Sequence, residues 1–152
     1  MPILDISEFK ELKNLNKPIL AIDFGKKVVG VAITDASWII ASPLENIENK
    51  KFTFVANRIF HIIEERQVSG IIIGMPFNMD GSDSKMAQSI RQFGRNLIKI
   101  NDVKIFFADE RFSSIMAQQT LDHSDISYDK KLDLIDKIAA SHILQSFLEK
   151  FK

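Results

Sequence analysis

The chain of 152 residues carries 20 basic and 20 acidic side chains and no cysteine. Disulfides, thiolate metal sites and cysteine nucleophiles are thereby excluded. A formal net charge of zero gives no general support to non-specific nucleic-acid binding, so any polyanion site must be a local basic patch.

Hydrophobic residues make up 45% of the chain, with 12 Phe among them, enough to bury the core of one domain over residues 1–152. No apolar run approaches the length of a membrane span, and the opening stretch has no apolar signal core. A cytoplasmic protein that makes no membrane contact is therefore expected.

Residues 1–17 are polar and Lys-rich and read as a solvated surface arm or a short helix. Pro18–Phe24 is a nearly continuous apolar run, the pattern of a strand buried on both faces. Lys26 and Lys27 turn the chain into a second β-branched run, Val28–Thr34, which predicts an antiparallel hairpin. Ser37–Pro43 is expected to be a third strand, ending near its proline.

Phe52–Arg66 has Val55, Ile59, Ile62 and Ile63 on one helical stripe, and Ser69-Gly70 is expected to break that helix. Ile71–Ile73 is a short buried strand, followed by a loop over Phe77–Gly81. Ser82–Ile100 is a second helix with Met86, Ile90, Phe93 and Leu97 inward and a basic edge of Arg91, Arg95 and Lys99. Val103–Ala108 is the last strand. A short helix capped by Ser113 or Ser114 runs to about Leu121, a polar loop covers Asp122–Lys131, and a terminal helix spans Leu132–Phe151. A hairpin followed by alternating helices and strands predicts an α/β fold, a mixed five-stranded sheet flanked by helices.

Acidic residues fall where an open sheet gathers ligands, at the carboxyl ends of its strands. Asp23 closes the first strand, and Asp109 and Glu110 close the last. Asp23 and Glu110 meet there if their strands are neighbours. Asp136 shares one side of the terminal helix with Ala139, Ala140 and Ile143, and the alanines allow that helix close to the sheet. Each acid alone also fits a turn, an exposed ion pair or a solvated helix face. Clustered carboxylates resist ionising together unless a cation joins them. Oxygen ligands without cysteine favour Mg²⁺ or Mn²⁺, and two such ions about 3.5–4 Å apart activate water at a phosphodiester. His61, His123 and His142 are expected to pack or to face solvent rather than act as general bases.

Four blocks then occur in order. Ala21–Asp35, reading AIDFGKKVVGVAITD, resembles the D-x-G-x-K-R-I-G-V-A-x-S-D opening of the YqgF/RuvX family, whose members are described as Holliday junction resolvases or as pre-16S rRNA processing nucleases. Gly74–Gly81 resembles that family's G-L-P-x-N-x-D-G, Asp109–Ser114 its D-E-R-L-S-T, and Asp136–Ala140 its closing D-x-x-A-A. The resemblance covers roughly residues 18–149. Val28 stands where the family has arginine, so one basic residue is missing.

The resemblance implies a ribonuclease H-like fold, with metal held by Asp23, Glu110 or its neighbour Asp109, and Asp136. Gly25 and Gly30 are expected to take positive φ or to let the backbone approach a phosphate. Lys26 and Lys27 are expected to neutralise phosphate charge, Asn78 to touch substrate or close a turn, and Arg111 to contact phosphate or lock Glu110 in place. The expected activity is metal-dependent phosphodiester hydrolysis by a monomer or weak homodimer. Its expected substrate is structured RNA, most simply the 5′ end of precursor 16S ribosomal RNA. Branched DNA is the alternative substrate, and a non-catalytic ribosome-associated binding module is the alternative role. An actin-like ATPase shares the D-x-G turn but needs two lobes, for which this length is too short.

Overall fold

The computed structural model describes residues 3–75, 85–109 and 128–149; for Asp109 and for 128–137 it describes the backbone alone. The described elements are helix α1 (Ile6–Lys10), a 3₁₀ turn (Glu11–Leu15), strands β1 (Ile19–Phe24), β2 (Val28–Thr34) and β3 (Ala41–Glu48), helix α2 (Phe52–Arg66), strand β4 (Gly70–Met75), helix α3 (Lys85–Ile100), strand β5 (Ile105–Asp109) and helix α4 (Tyr128–Glu149). The strands form one sheet in the order β3-β2-β1-β4-β5. β1–β2 and β2–β3 are antiparallel, while β1–β4 and β4–β5 are parallel. This is the expected mixed sheet. Among the described residues no helix is long and apolar enough to cross a membrane.

Strand alternation separates two cores. Leu20, Ile22, Val29, Val31, Ile71, Ile73 and Ile105 pack on one face against α2 and α3, meeting Val55, Ile59, Ile90 and Leu97. Ile19, Ala21, Ala32 and Ile72 pack on the other against Ala140, Ile143, Leu144 and Phe147 of α4. Because the parallel strands are covered on both faces, their sequences read as apolar runs rather than alternations.

Several expectations are corrected. The first 17 residues hold the short helix that was one expectation, α1, but are no mere solvated surface segment. Asp5 caps α1 with a reciprocal capping box to Glu8, and Phe9 is fully buried against Trp38, Phe106 and Phe147. The arm is tied to β5 by the Leu4 N–H donating to the Ile105 carbonyl at 2.8 Å. Gly70 does not break α2, which ends in a left-handed Gln67. Gly70 is needed for packing instead, since a Cβ there would lie 2.8 Å from both Phe9 and Leu12.

The third strand starts later and runs beyond Pro43. Asp35 accepts hydrogen bonds from the Ile39 and Ile40 amides at 2.7 and 2.9 Å, so the following residues form a turn. These bonds hold the Asp35 carboxyl below its usual pKa, the Ile40 amide contributing most. Pro43 is tolerated inside β3 because this is an edge strand, and it sits beside the register shift between Val31 and Ala32. α4 begins at Tyr128, inside the expected loop. The short helix expected to Leu121, the loop from Phe77 and residues 82–84 lie outside the described residues.

Candidate active site

The site is built at the carboxyl edge of β1. Asp23, half-buried, is the last but one residue of that strand and pairs with Gly30 of β2. On its other side the β1–β4 ladder ends at Ile22 beside Ile73, which leaves Gly74 alongside Asp23. Gly74 pairs in turn with Ala108 of β5, and Gly30 with Asn46 of β3. One row across the sheet thus reads Asn46, Gly30, Asp23, Gly74, Ala108. The residues directly across from this carboxylate on both adjacent strands are thus glycines.

α4 covers this same face. Its residue Phe147 packs against Trp38, whose indole N–H donates to the Lys17 carbonyl at 2.7 Å, just before β1 begins. Ala140, fully buried, shares a cluster with Ala21 and Ala32 further along the strands. The helix therefore runs opposite to β1. Asp136, one turn before Ala140 and about 6 Å along the axis, lies on the α4 backbone in the direction of the Asp23 end. Ala139 and Ala140 are both fully buried, as close approach of the helix requires.

β1 and β5 are not neighbours: β4 lies between them. The two strands are parallel to it, so their carboxyl ends share one edge of the sheet, roughly 10 Å apart at two strand spacings. Asp109 pairs with Met75 at that edge. Glu110, Asn78 and Arg111 lie outside the described residues, as do the side chains of Asp109 and Asp136. Among the described residues no three His, Cys, Asp or Glu side chains form a metal-binding cluster.

The turn beyond Asp23 is a tight two-residue hairpin. The Gly25 N–H donates to the Val28 carbonyl at 2.9 Å, and Lys26 and Lys27 stand exposed at the tip. Gly25 does not adopt positive φ. It is required because a Cβ there would lie 2.5 Å from the Val28 carbonyl oxygen. Gly30 likewise lies in a strand rather than a turn. Asn49 braces the tip from just past β3: its amide side chain donates to the Gly25 carbonyl at 2.6 Å and its N–H to the Lys27 carbonyl at 2.9 Å. The two lysines are thus presented on a braced backbone three and four residues from the carboxylate.

Sequence reasoning missed the row itself. Gly74 was visible only as part of a motif, and Asn46 lay beyond the expected end of the third strand. His61 is exposed and bonds Glu65 one helical turn on, at 3.0 Å, in keeping with a surface role.

The model of one family, RuvX, described as Holliday junction resolvase, matches residues 17–150. The chain belongs to the RuvX family. It is thereby a member of a nuclease family. A protein of Ruegeria sp. (strain TM1040) named "Putative pre-16S rRNA nuclease" is 43% identical over 134 residues, 88% of this chain and 85% of that one. A protein of the same name from Phenylobacterium zucineum (strain HLK1) is 38% identical over 154 residues, 100% of this chain and 99% of that one.

Among solved structures, Thermus thermophilus RuvC in complex with Holliday junction substrate superimposes with a TM-score of 0.54 at 9% identity, covering 89% of this chain and 96% of that one. The fowlpox virus resolvase in complex with Holliday junction DNA gives 0.51 at 16% identity, covering 88% and 98%. These likenesses establish the ribonuclease H-like fold.

Proposed function

We propose that this protein is a divalent-metal-dependent endonuclease that processes the 5′ end of precursor 16S ribosomal RNA. The observation that carries the reading is Asp23 between two glycines at the carboxyl edge of the central strand, under the helix that bears Asp136. Asp23, Glu110 and Asp136 would hold Mg²⁺ or Mn²⁺, with Asp109 next to the second of them. All-oxygen carboxylate donors suit such hard cations. When bound, the metal supplies an activated water and stabilises charge on the phosphate.

Strand alternation favours Glu110 over Asp109 for this role, because Phe106 and Ala108, the even positions of β5, belong to the α4-side cluster. Lys26 and Lys27 screen the substrate backbone from the braced hairpin tip. Gly25 and Gly30 keep the backbone beside Asp23 free of side chains, and Asn78 and Arg111 complete the contacts with nucleic acid. The name carried by the curated relatives favours RNA.

Cleavage of branched DNA is the second reading, favoured by the family description and by the fold shared with RuvC. Symmetric junction cutting needs two copies of the chain. The deciding assay offers a precursor 16S fragment and a four-way DNA junction to the wild type and to Asp23→Asn, with Mn²⁺ and with chelator. Specific RNA cuts that vanish with chelator and in the variant support the proposal. Junction cutting without RNA cutting replaces it, and RNA binding without any cutting by the wild type reduces the protein to a binding module.

A further inference from the structure

On the face of the sheet opposite α4, a cavity of about 360 Å³ opens between the end of β1, the start of α2 and the middle of α3. Its apolar walls are the rings of Phe24, Phe52 and Phe93. Phe93 stands 4.8 Å from Phe24 and 5.7 Å from Phe52, centroid to centroid. Its polar walls are amides: Asn49, Gln92 and Asn96. The Gln92 amide donates to the Asn96 oxygen at 2.8 Å, while its own oxygen accepts from Arg95 at 3.2 Å. These bonds fix the orientation of the pair.

Lys50 is the one charged residue among the described lining residues, and its ammonium is paired with Glu48 at 3.2 Å and lies 5.2 Å from the Phe54 ring centroid. α2 opens at this wall with no acidic residue in its first turn and no side-chain cap, which leaves partial positive charge there. Flat apolar faces and oriented amides beside a helix N-terminus are the chemistry of nucleobase recognition, in which a base stacks on an aromatic ring and bonds along its edge.

Two connections tie the cavity to the acidic edge. Phe24 directly follows Asp23, so successive residues of one strand line the cavity and the proposed metal site from opposite faces. Asn49, which lines the cavity, also braces the Lys26-Lys27 tip. A strand of RNA crossing the sheet edge over those lysines passes both.

We propose that this cavity is a base-binding pocket, which captures an unstacked nucleobase of single-stranded RNA next to the phosphate to be cut. The inference rests on the nuclease reading for the identity of its ligand. It gives the enzyme a means of choosing unpaired sequence beside the cut, which the carboxylates alone do not provide.

The test is a titration of the whole protein, in chelator, with AMP, GMP, CMP and UMP, followed by the NMR side-chain amide signals of Asn49, Gln92 and Asn96. It is paired with the affinity for a single-stranded RNA oligonucleotide. Ser89 lies exposed at the cavity wall, so Ser89→Trp fills the space without touching the core. Phe24→Leu removes a flat face while keeping apolar volume.

At least one mononucleotide is expected to shift the three amides. Ser89→Trp is expected to abolish those shifts and to weaken RNA binding about fivefold or more, with an unchanged melting temperature. Phe24→Leu should weaken both in the same direction. Absent shifts, equal shifts with inorganic phosphate alone, or undiminished RNA affinity in Ser89→Trp would each overturn the pocket. Cleavage by the wild type without any response from these amides removes the pocket and leaves the nuclease standing. Mononucleotide binding in a protein that cuts nothing does the reverse.

Discussion

The two ends of the sheet face beneath α4 are built from opposite materials. Where β1 begins, Phe9, Trp38, Phe106 and Phe147 pack ring against ring, with centroids 5.5 to 6.1 Å apart. Toward the other end large side chains give way to small ones on three strands, Thr34 to Ala32 to Gly30, Ile72 to Gly74 and Phe106 to Ala108, while on β1 Ile19 is followed by Ala21 and then by Asp23. Burial of large rings stores stability at the first end. At the second, glycines flank a carboxylate and contribute no side-chain packing of their own. One face of one sheet thus separates what holds the fold from what is proposed to act on substrate.

Substitutions at the two ends should therefore divide cleanly. Asp23→Asn is expected to lower RNA cleavage about a hundredfold or more, equivalent to about 2.7 kcal/mol in the barrier, with no loss of thermal stability. Steady-state cleavage alongside a melting curve checks both halves, and a variant that unfolds or keeps full turnover breaks the division. Phe147→Ala is expected to do the opposite. Truncating a buried aromatic costs about 3–5 kcal/mol in chemical denaturation, and the surviving folded fraction should cleave at the wild-type rate per molecule.

Gly74→Val sharpens the comparison, since it puts a branched side chain beside Asp23. Overpacking of about 1–3 kcal/mol is expected together with loss of turnover, whereas Gly74→Ala should lie between that variant and the wild type in both measurements.

The smallest effect should come from an ion pair between the edge strand β3 and α2. Arg58 donates to Glu45 through two nitrogens, at 2.8 and 2.6 Å. That hydrogen bond, ahead of the guanidinium charge, holds the Glu45 carboxyl below its usual value of 4.5. A carboxylate whose folded pKa is depressed adds stability above its unfolded pKa and loses it as pH falls through the folded one. Both partners are partly exposed, so Arg58→Ala should cost less than about 1 kcal/mol at neutral pH. The difference from wild type should close in denaturation curves recorded progressively below pH 4.5.

Local pattern was enough for most elements. Ile19–Phe24, Val28–Thr34, Phe52–Arg66 and Gly70–Met75 appear close to where periodicity put them, because each carries its signal within its own residues. Pattern failed where the cause is distant. Residues 1–17 carry no buried-element period, and only packing against Gly70, Trp38 and Phe147 makes Phe9 part of the core. β3 was cut short at Pro43 because an edge position, which excuses a proline, is a property of the sheet and not of the segment.

The sequence by itself determined the family, through four ordered blocks, and the run of buried strands and helices, through their hydrophobic periods. The tertiary structure alone decided that β4 lies between β1 and β5, that α4 runs against β1, and that Gly30 and Gly74 flank Asp23. Strand order and register are fixed by hydrogen bonds between segments distant along the chain, and no local window of sequence contains both partners of such a pair.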